Sequence, residues 1–66
     1  MDINEVFGKK VLERRLSLKI SQETLANMAD IDRTYLPDIE KGKRNVYLRV
    51  ADKIAKALNV SLKDLL

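Results

Sequence analysis

The fold is decided by residues 21–42, which read SQETLANMADIDRTYLPDIEKG. Ser21 is a favoured N-cap residue, and apolar residues follow it at helical spacing as far as Ala29, so this part predicts a short helix. A turn of two aspartates around one isoleucine comes next, and Asp32 is predicted to cap a second helix that Gly42 ends. The stretch therefore predicts two short helices joined by a very short turn.

The turn between these two helices fixes how they cross. It contains a single apolar residue, Ile31, and the preceding helix offers the small residue Ala26 at the contact. Two short helices joined in this way cross steeply, which is the geometry of a helix-turn-helix. The second helix of such a pair projects its N-terminal side chains outward and fits the major groove of DNA. We therefore expect Arg33, Thr34 and Tyr35 to face base edges or the flanking phosphates.

Helices are also predicted on both sides of this unit. Apolar residues at helical spacing indicate a first helix over about Asn4–Ser17, capped by Asn4, and a fourth helix over about Leu48–Leu58. Ser61 with Asp64 three residues later resembles a capping box for a short fifth helix, Leu62–Leu66. Five helices with short connections leave no room for a sheet. The predicted fold class is therefore all-α, a compact five-helix domain that takes in all 66 residues.

Composition restricts the classes of function. The chain contains no cysteine and no histidine, which removes disulfides, thiolate metal sites, the commonest zinc ligand and the commonest general base. We therefore expect no enzymatic activity and no cofactor, metal or small-molecule substrate. The formal charge of +3 is compatible with a polyanionic partner but does not by itself indicate one. No apolar run approaches the roughly 20 residues that span a bilayer, and the N-terminus has no signal-peptide pattern, so we expect a cytoplasmic protein without membrane contact.

The aspartates around the turn raise one metal-binding alternative. Four residues have the spacing of ligands in a calcium-binding loop, at its positions 1, 3, 5 and 9: Asp30, Asp32, Thr34 and Asp38. Tyr35 stands where that loop needs glycine, and Lys41 stands where it needs a bidentate glutamate. No calcium site is therefore expected.

Three motifs resemble the Xre/Cro/lambda-repressor-type helix-turn-helix family, over roughly residues 7 to 66: Ser21–Ala26, Ile39–Gly42 and Lys53–Leu58. Within that span, residues 32–36, 39–40 and 42–46 are similar to the controller proteins of restriction-modification systems. The resemblance implies a five-helix domain that binds a palindromic operator on double-stranded DNA as a homodimer. It also implies a recognition helix at about residues 33–41, inserted in the major groove.

The same resemblance implies roles for individual residues. It assigns base reading to Arg33 and Thr34. Phosphate contacts are implied for four further residues: Gln22, Lys43, Arg44 and Asn45. In this family an arginine late in the first helix pairs with a glutamate of the third helix, which maps onto Arg15 and Glu40 as a structural pair.

Pro37 leaves the start of the recognition helix open. In a helix that begins directly after Asp32, Pro37 would remove the hydrogen bond to the Arg33 carbonyl. Two alternatives follow. The helix begins later, with Thr34 as its cap and Pro37 in its first turn, or the helix kinks. Either arrangement would move Arg33 relative to the groove.

Three further positions depart from the family pattern. Lys19 and Asn59 stand where the family often has glycine at a helix C-terminus with positive φ. Tyr47 stands where a serine usually caps the fourth helix. A weaker start of the fourth helix is therefore expected.

Two sets of apolar side chains allow more than one role. Tyr35 could be a core aromatic beside the apolar face of the third helix instead of a DNA contact. Leu62 and Leu65 could close the core or, together with Leu66, form the seam of the homodimer, which is the role we predict for Leu62 and Leu65.

The function itself has one rival. A helix-turn-helix can be reused for protein contact, as in adaptor or antitoxin proteins, with a partner protein on the surface that would otherwise meet DNA. Sequence alone favours the sequence-specific transcriptional regulator over this alternative, because basic residues Lys41, Lys43 and Arg44 follow the predicted recognition helix.

Overall fold

The computed structural model describes residues 2–66 as helices joined by short loops. Four α-helices are followed by a 3₁₀ helix: α1 (Ile3–Ser17), α2 (Gln22–Ala29), α3 (Tyr35–Glu40), α4 (Leu48–Ala57) and the 3₁₀ helix Leu62–Leu65. The described part of the chain contains no strand. The predicted all-α fold and the order of its elements are confirmed, although the last element is a tighter 3₁₀ turn. No helix within residues 2–66 is both long enough and apolar enough to cross a membrane.

One hydrophobic core holds the helices together. Every helix contributes to it, and its buried members are Phe7, Val11, Leu25, Ala26, Ala29, Leu36, Ile39, Ala51, Ile54, Ala55, Leu58 and Leu65. These residues recur at intervals of three and four within α1, α2 and α4, as expected for helices that bury one face. In the core, α1 packs on α3 and α2 packs on α4. The helix-turn-helix unit is thus supported from both sides.

Of the N-caps predicted for α1 and α2, one is wrong and one is confirmed. The Asp2 carboxylate accepts a hydrogen bond from the Asn4 backbone N–H at 2.8 Å, so Asp2 is the N-cap of α1. The prediction that Asn4 caps this helix is therefore wrong. Asn4 instead lies in the first turn, where its side-chain amide donates to the side-chain oxygen of Asn45 at 2.7 Å. The predicted cap of α2 is confirmed, because the Ser21 hydroxyl accepts from the Thr24 backbone N–H at 3.0 Å.

The later helix boundaries follow the expected capping. The Asp64 carboxylate accepts from the backbone N–H of Ser61 at 3.0 Å and from its hydroxyl at 2.9 Å, and these bonds lower the pKa of Asp64. Lys19 and Asn59 adopt φ angles of 58° and 60°, so the positive angle expected after α1 and α4 is reached without glycine. Tyr47 precedes α4 without a side-chain hydrogen bond to the helix, as its sequence position indicated.

α3 begins later than residue 33. The helix runs over Tyr35–Glu40, and Arg33 and Thr34 lie in the turn that precedes it, so the predicted boundaries of 33–41 are wrong. Asp32 does not cap α3 directly. Its carboxylate accepts from the backbone N–H and the hydroxyl of Thr34, each at 2.9 Å, and these bonds lower the pKa of Asp32.

Pro37 accounts for this late start. It is the third residue of α3, where a backbone N–H has no acceptor within the helix. The Arg33 carbonyl, which a proline at this position cannot satisfy, accepts instead from the Leu36 N–H at 3.3 Å. Thr34 occupies the cap position without a side-chain bond to the helix, since Asp32 already engages its hydroxyl. The alternative with Thr34 at the cap and Pro37 in the first turn is therefore confirmed.

Candidate nucleic-acid interface

The turn between α2 and α3 sets the angle between the two helices. Asp30 adopts the left-handed conformation, with φ 57° and ψ 48°, and the Ile31 N–H donates to the Ala26 carbonyl at 3.0 Å. Ala26 is fully buried, and Ile31 packs half-buried against the core. The small residue at the contact and the lone apolar residue of the turn therefore have the roles that the sequence predicted. As a result, the first turn of α3 and the residues before it lie at the surface.

Arg33 lies on this surface and is held by an ion pair. Its side chain keeps 68% of its exposure, and its Nη1 lies 2.6 Å from Oε2 of Glu23 in the first turn of α2. The pair links α2 to the turn that precedes α3, across ten positions of sequence. A guanidinium has five N–H donors, so this bond leaves donors free for a ligand.

Thr34 is exposed and has a fixed orientation. Its hydroxyl donates to the Asp32 carboxylate at 2.9 Å, and its backbone N–H donates to the same oxygen. The hydroxyl proton is therefore engaged, while the oxygen can still accept and the methyl group remains available for apolar contact. Such a side chain can meet an amino group or a thymine methyl in the major groove.

Tyr35 is the first residue of α3, and its side chain lies outside the core. It keeps 41% of its exposure, so the alternative of a core aromatic is wrong; Leu36 and Ile39 form the buried face of α3. The guanidinium carbon of Arg44 lies 4.6 Å above the centroid of the Tyr35 ring. This cation–π contact orients an exposed arginine that would otherwise be free to move.

The loop after α3 is fixed at both ends. Gly42 has a φ of 73°, and a Cβ at this position would lie 2.7 Å from the Cα of Glu5, so α1 approaches the loop too closely for a side chain. At the other end, the side-chain oxygen of Asn45 accepts a hydrogen bond from the side-chain amide of Asn4 in α1. Lys43 and Arg44 lie between these two attachments and are exposed. The loop therefore presents both cations from a defined backbone.

The predicted pair of Arg15 and Glu40 forms the centre of a nearly buried network. Arg15 donates to the Glu40 carboxylate from Nε at 2.7 Å and from Nη2 at 3.1 Å, and the two side chains keep only 11% and 4% of their exposure. Arg15 also donates from Nη1 to the Ile20 carbonyl at 2.9 Å. The hydrogen bonds to Glu40 raise the pKa of Arg15. The network joins α1, the loop that follows it, and α3.

Gln22 belongs to this network as well as to the candidate interface. Its side-chain amide donates to Oε1 of Glu40 at 2.9 Å, and its side chain is half-buried. One N–H of the amide is used in this way, which leaves the second N–H for a phosphate. Glu40 thus positions Gln22 at the start of α2 while it pairs with Arg15.

Sequence reasoning missed two members of this surface. Glu23, the partner of Arg33, was not distinguished from any other exposed acid, because a pairing across ten residues leaves no local pattern. Asn4 was expected to cap α1, and its bond to Asn45 joins positions 41 residues apart. Such contacts follow from the tertiary fold and not from spacing along one helix.

The C-terminal leucines divide between the core and the surface. Leu65 is only 2% exposed, so the prediction that it lines a dimer seam is wrong: its side chain is already used within the domain. Leu62 is half-buried and lines a groove together with three exposed residues: Ile3, Leu48 and Leu66. We call Ile3, Leu48, Leu62 and Leu66 the terminal apolar patch. Its exposed members keep 63%, 77% and 49% of their exposure and line the same groove, and adjoining exposed apolar side chains of this kind are typical of interaction surfaces.

Acidic residues in the described part of the chain do not gather into a metal site. No group of three or more acidic side chains within residues 2–66 is arranged to hold a metal ion. Asp30, Asp32 and Asp38, the residues with partial calcium-loop spacing, belong to this part.

Known proteins match this sequence over nearly its whole length. A family model described as helix-turn-helix matches residues 11–65. Control protein C.BamHI of Bacillus amyloliquefaciens is 53% identical over 66 residues, which cover 98% of this chain and 82% of that protein. Control protein C.MunI of Mycoplasma sp. is 43% identical over 65 residues, which cover 97% of this chain and 88% of that protein.

Solved structures agree with these relatives. The restriction-modification controller protein C.AhdI from Aeromonas hydrophila superposes with a TM-score of 0.91 at 38% identity, over 96% of each chain. The hypothetical transcription factor NHTF from Neisseria superposes with a TM-score of 0.93 at 34% identity, over 98% of this chain and 75% of that one. The chain therefore belongs to the helix-turn-helix family of DNA-binding transcription regulators, in which its relatives include the controller proteins of restriction-modification systems.

Proposed function

We propose that this protein binds a palindromic operator as a homodimer and thereby controls transcription within a restriction-modification system. The observation that carries the proposal is the surface at the start of α3, where Arg33, Thr34 and Tyr35 are all exposed and each has a partner that fixes it. Arg33 and Thr34 directly precede α3 and Tyr35 begins it, so an α-helix inserted in the major groove by its N-terminal end would bring all three side chains to the bases or the flanking phosphates. The names of the relatives support the regulatory role.

Base reading is assigned to the three residues at the start of α3. Arg33 has free donors for a bidentate fork to O6 and N7 of guanine, which is the commonest specific contact of an arginine in the major groove. Thr34 contributes an acceptor and a methyl group. The ring of Tyr35 packs against the guanidinium of Arg44, and the Tyr35 hydroxyl is assigned to the edge of the groove.

Phosphate binding is assigned to residues on either side of the base-reading surface. Gln22 offers its second amide N–H at the start of α2, where the helix dipole also favours an anion. Lys43, Arg44 and Asn45 follow α3 in a loop that is fixed to α1. Phosphate contacts on both flanks would set the register of α3 in the groove without reading the sequence.

Two arginines with different assigned roles test this proposal. Arg33→Ala should weaken the free energy of operator binding by about 1 to 3 kcal/mol for each half-site, because it removes a guanine contact. It should also relax selectivity at one base pair of each half-site. Arg44→Ala should weaken operator and random DNA alike. The slope of log binding constant against log salt concentration should become less steep by about 1 for each phosphate that Arg44 no longer neutralises, or by about 2 in a dimer. Fluorescence anisotropy at several salt concentrations measures both.

The binding data for the two variants and for the unmodified protein test both the role of Arg33 and the choice between a DNA-binding regulator and a protein adaptor. Equal losses on all DNA, with base preference unchanged, would make Arg33 a backbone contact. If the unmodified protein binds no DNA at low salt, the adaptor or antitoxin alternative replaces the regulator, with a protein partner on this surface.

The homodimer is proposed to form through the terminal apolar patch. A domain of 66 residues buries only roughly 60% of its unfolded surface, so it gains much from covering exposed Ile3, Leu48 and Leu66 with the same patch of a second copy. Two copies related by a two-fold axis would place two α3 helices on half-sites about 10 base pairs apart, or a multiple of that spacing.

Leu48→Glu should convert the dimer to a monomer. Leu48 is 77% exposed, so the substitution does not disturb the core, whereas a carboxylate inside a dimer seam would be desolvated without a partner. Sedimentation equilibrium measures the effect. Met28→Glu is the matched control, because Met28 is also an exposed apolar residue, at 54%, but lies on α2 outside the patch. A Leu48→Glu variant that dimerises as tightly as the unmodified protein would place the seam elsewhere.

A further inference from the structure

The ion pair between Glu23 and Arg33 contributes little to the stability of the fold. The two side chains keep 60% and 68% of their exposure, and an exposed pair of this kind contributes only about 0 to 1 kcal/mol to stability. The angle between α2 and α3 is already fixed by the core and by the network of Arg15 and Glu40. The consequence of the pair therefore lies in the orientation and the charge of Arg33.

The geometry allows the pair to persist while Arg33 binds a base. Glu23 accepts a hydrogen bond from one of the two N–H groups of Nη1, at 2.6 Å, and four N–H donors of Arg33 remain. A fork to guanine needs two of them. A carboxylate held on one side of the guanidinium would fix its plane before the base arrives, since Glu23 is itself anchored in the first turn of α2. Less rotamer entropy is then lost when the fork forms.

We propose that Glu23 is a specificity-determining residue that acts through Arg33, a role that rests on the proposed function of Arg33 as a base reader. By holding the guanidinium, Glu23 orients it toward guanine and withholds it from phosphates. It is a positioning residue and needs no contact with the DNA.

The charge of the pair explains why such a residue would favour the operator over other DNA. A free arginine beside the phosphate backbone binds any sequence, because phosphate attraction carries no sequence information. Paired with Glu23, Arg33 is part of a neutral unit, so its attraction to random DNA is reduced. Its hydrogen-bonding fork remains available, so the cost of the pairing falls mainly on non-specific binding.

Glu23→Gln is the decisive variant, since glutamine keeps the length and hydrogen-bonding capacity of the side chain but removes its charge. The probes are the duplex that the unmodified protein selects from a random-sequence library, the same duplex with each guanine replaced in turn, and a random duplex. We expect Glu23→Gln to bind the random duplex about two- to fivefold more tightly and to lose about fivefold or more of the discrimination against the replaced guanine. The salt slope on random DNA should also steepen.

The same measurements in an Arg33→Ala background separate positioning from bulk charge. If Glu23 acts through Arg33, its substitution no longer changes guanine discrimination once Arg33 is absent. Glu13→Gln is the matched control, because Glu13 is an exposed acid on α1 and its loss changes the net charge equally. Glu13→Gln should leave discrimination unchanged.

The outcomes distinguish this inference from the function on which it rests. Unchanged discrimination in Glu23→Gln, or an equal change with and without Arg33, would overturn the role of Glu23 while the protein still reads its operator. Failure of the unmodified protein to select any sequence would overturn both.

Discussion

Glu40→Ala should lower the free energy of unfolding by about 3 to 5 kcal/mol, enough to unfold much of the protein at room temperature. The substitution leaves the guanidinium of Arg15, which is only 11% exposed, without the carboxylate that receives two of its hydrogen bonds. The amide of Gln22 loses its acceptor at the same time. A domain of 66 residues is expected to have only about 3 to 10 kcal/mol of stability in total. Urea unfolding followed by circular dichroism, at one fixed protein concentration, measures the loss.

Glu23→Ala is the matched control for this experiment. It also removes a glutamate from an ion pair with an arginine, but that pair is more than half exposed, so the loss should stay below about 1 kcal/mol. Similar losses in the two variants would show that burial of the pair does not control its contribution. Glu40→Gln should fall between them, because it keeps an acceptor for Arg15 but not the charge.

The contrast between these pairs also shows how structure and recognition are separated in this protein. Arg15 and Glu40 are nearly buried, form a bidentate pair and are connected to the backbone at Ile20, so they fix the position of α3. Arg33 and Glu23 are exposed and joined by one bond, so they add little to stability and remain accessible to a ligand. Sequence-specific binding requires both parts: a stable scaffold, and a reading surface whose side chains are oriented before the DNA arrives.

The parts of the fold that sequence could predict are those with a local signal. Apolar residues at intervals of three and four located α1, α2 and α4 because each helix buries one face. Ser21 was identified as a cap because its hydroxyl bonds to an N–H only three residues away. The pair of Arg15 and Glu40 was predicted from the family resemblance, since its members lie 25 residues apart and no local rule connects them.

The parts that sequence could not predict depend on competition between neighbouring groups. Asp32 was expected to cap α3, but Pro37 moves the helix start to Tyr35, and Asp32 bonds to Thr34 instead. Leu65 was assigned to a dimer seam because nothing in the sequence distinguishes it from the adjacent leucine. In the structure Leu65 is 2% exposed and Leu66 is 49% exposed. The direction of each side chain in a short 3₁₀ turn decides between them.

Gly8 reveals a constraint on the scaffold that composition alone conceals. It lies in the middle of α1, where glycine is normally about 0.5 to 1 kcal/mol less stable than alanine. A Cβ at this position would overlap the carbonyl oxygen of Ile39 and lie 3.0 Å from that of Glu40. Both oxygens belong to the backbone at the end of α3, so they cannot turn aside as a side chain could. α1 and α3 therefore meet at this glycine.

Gly8→Ala should destabilise the protein by about 3 kcal/mol or more, against the ordinary preference for alanine in helices, because overpacking against backbone reaches the upper end of its usual cost. Separating α1 from α3 would also stretch the contact between Arg15 and Glu40. Thermal and urea unfolding measure the change. Lys9→Ala, at the exposed neighbouring position of α1, should stay within about 0.5 kcal/mol of the unmodified protein. A stabilised Gly8→Ala variant would show that α1 can move away from α3 freely, and the close contact would then not determine where α3 is held.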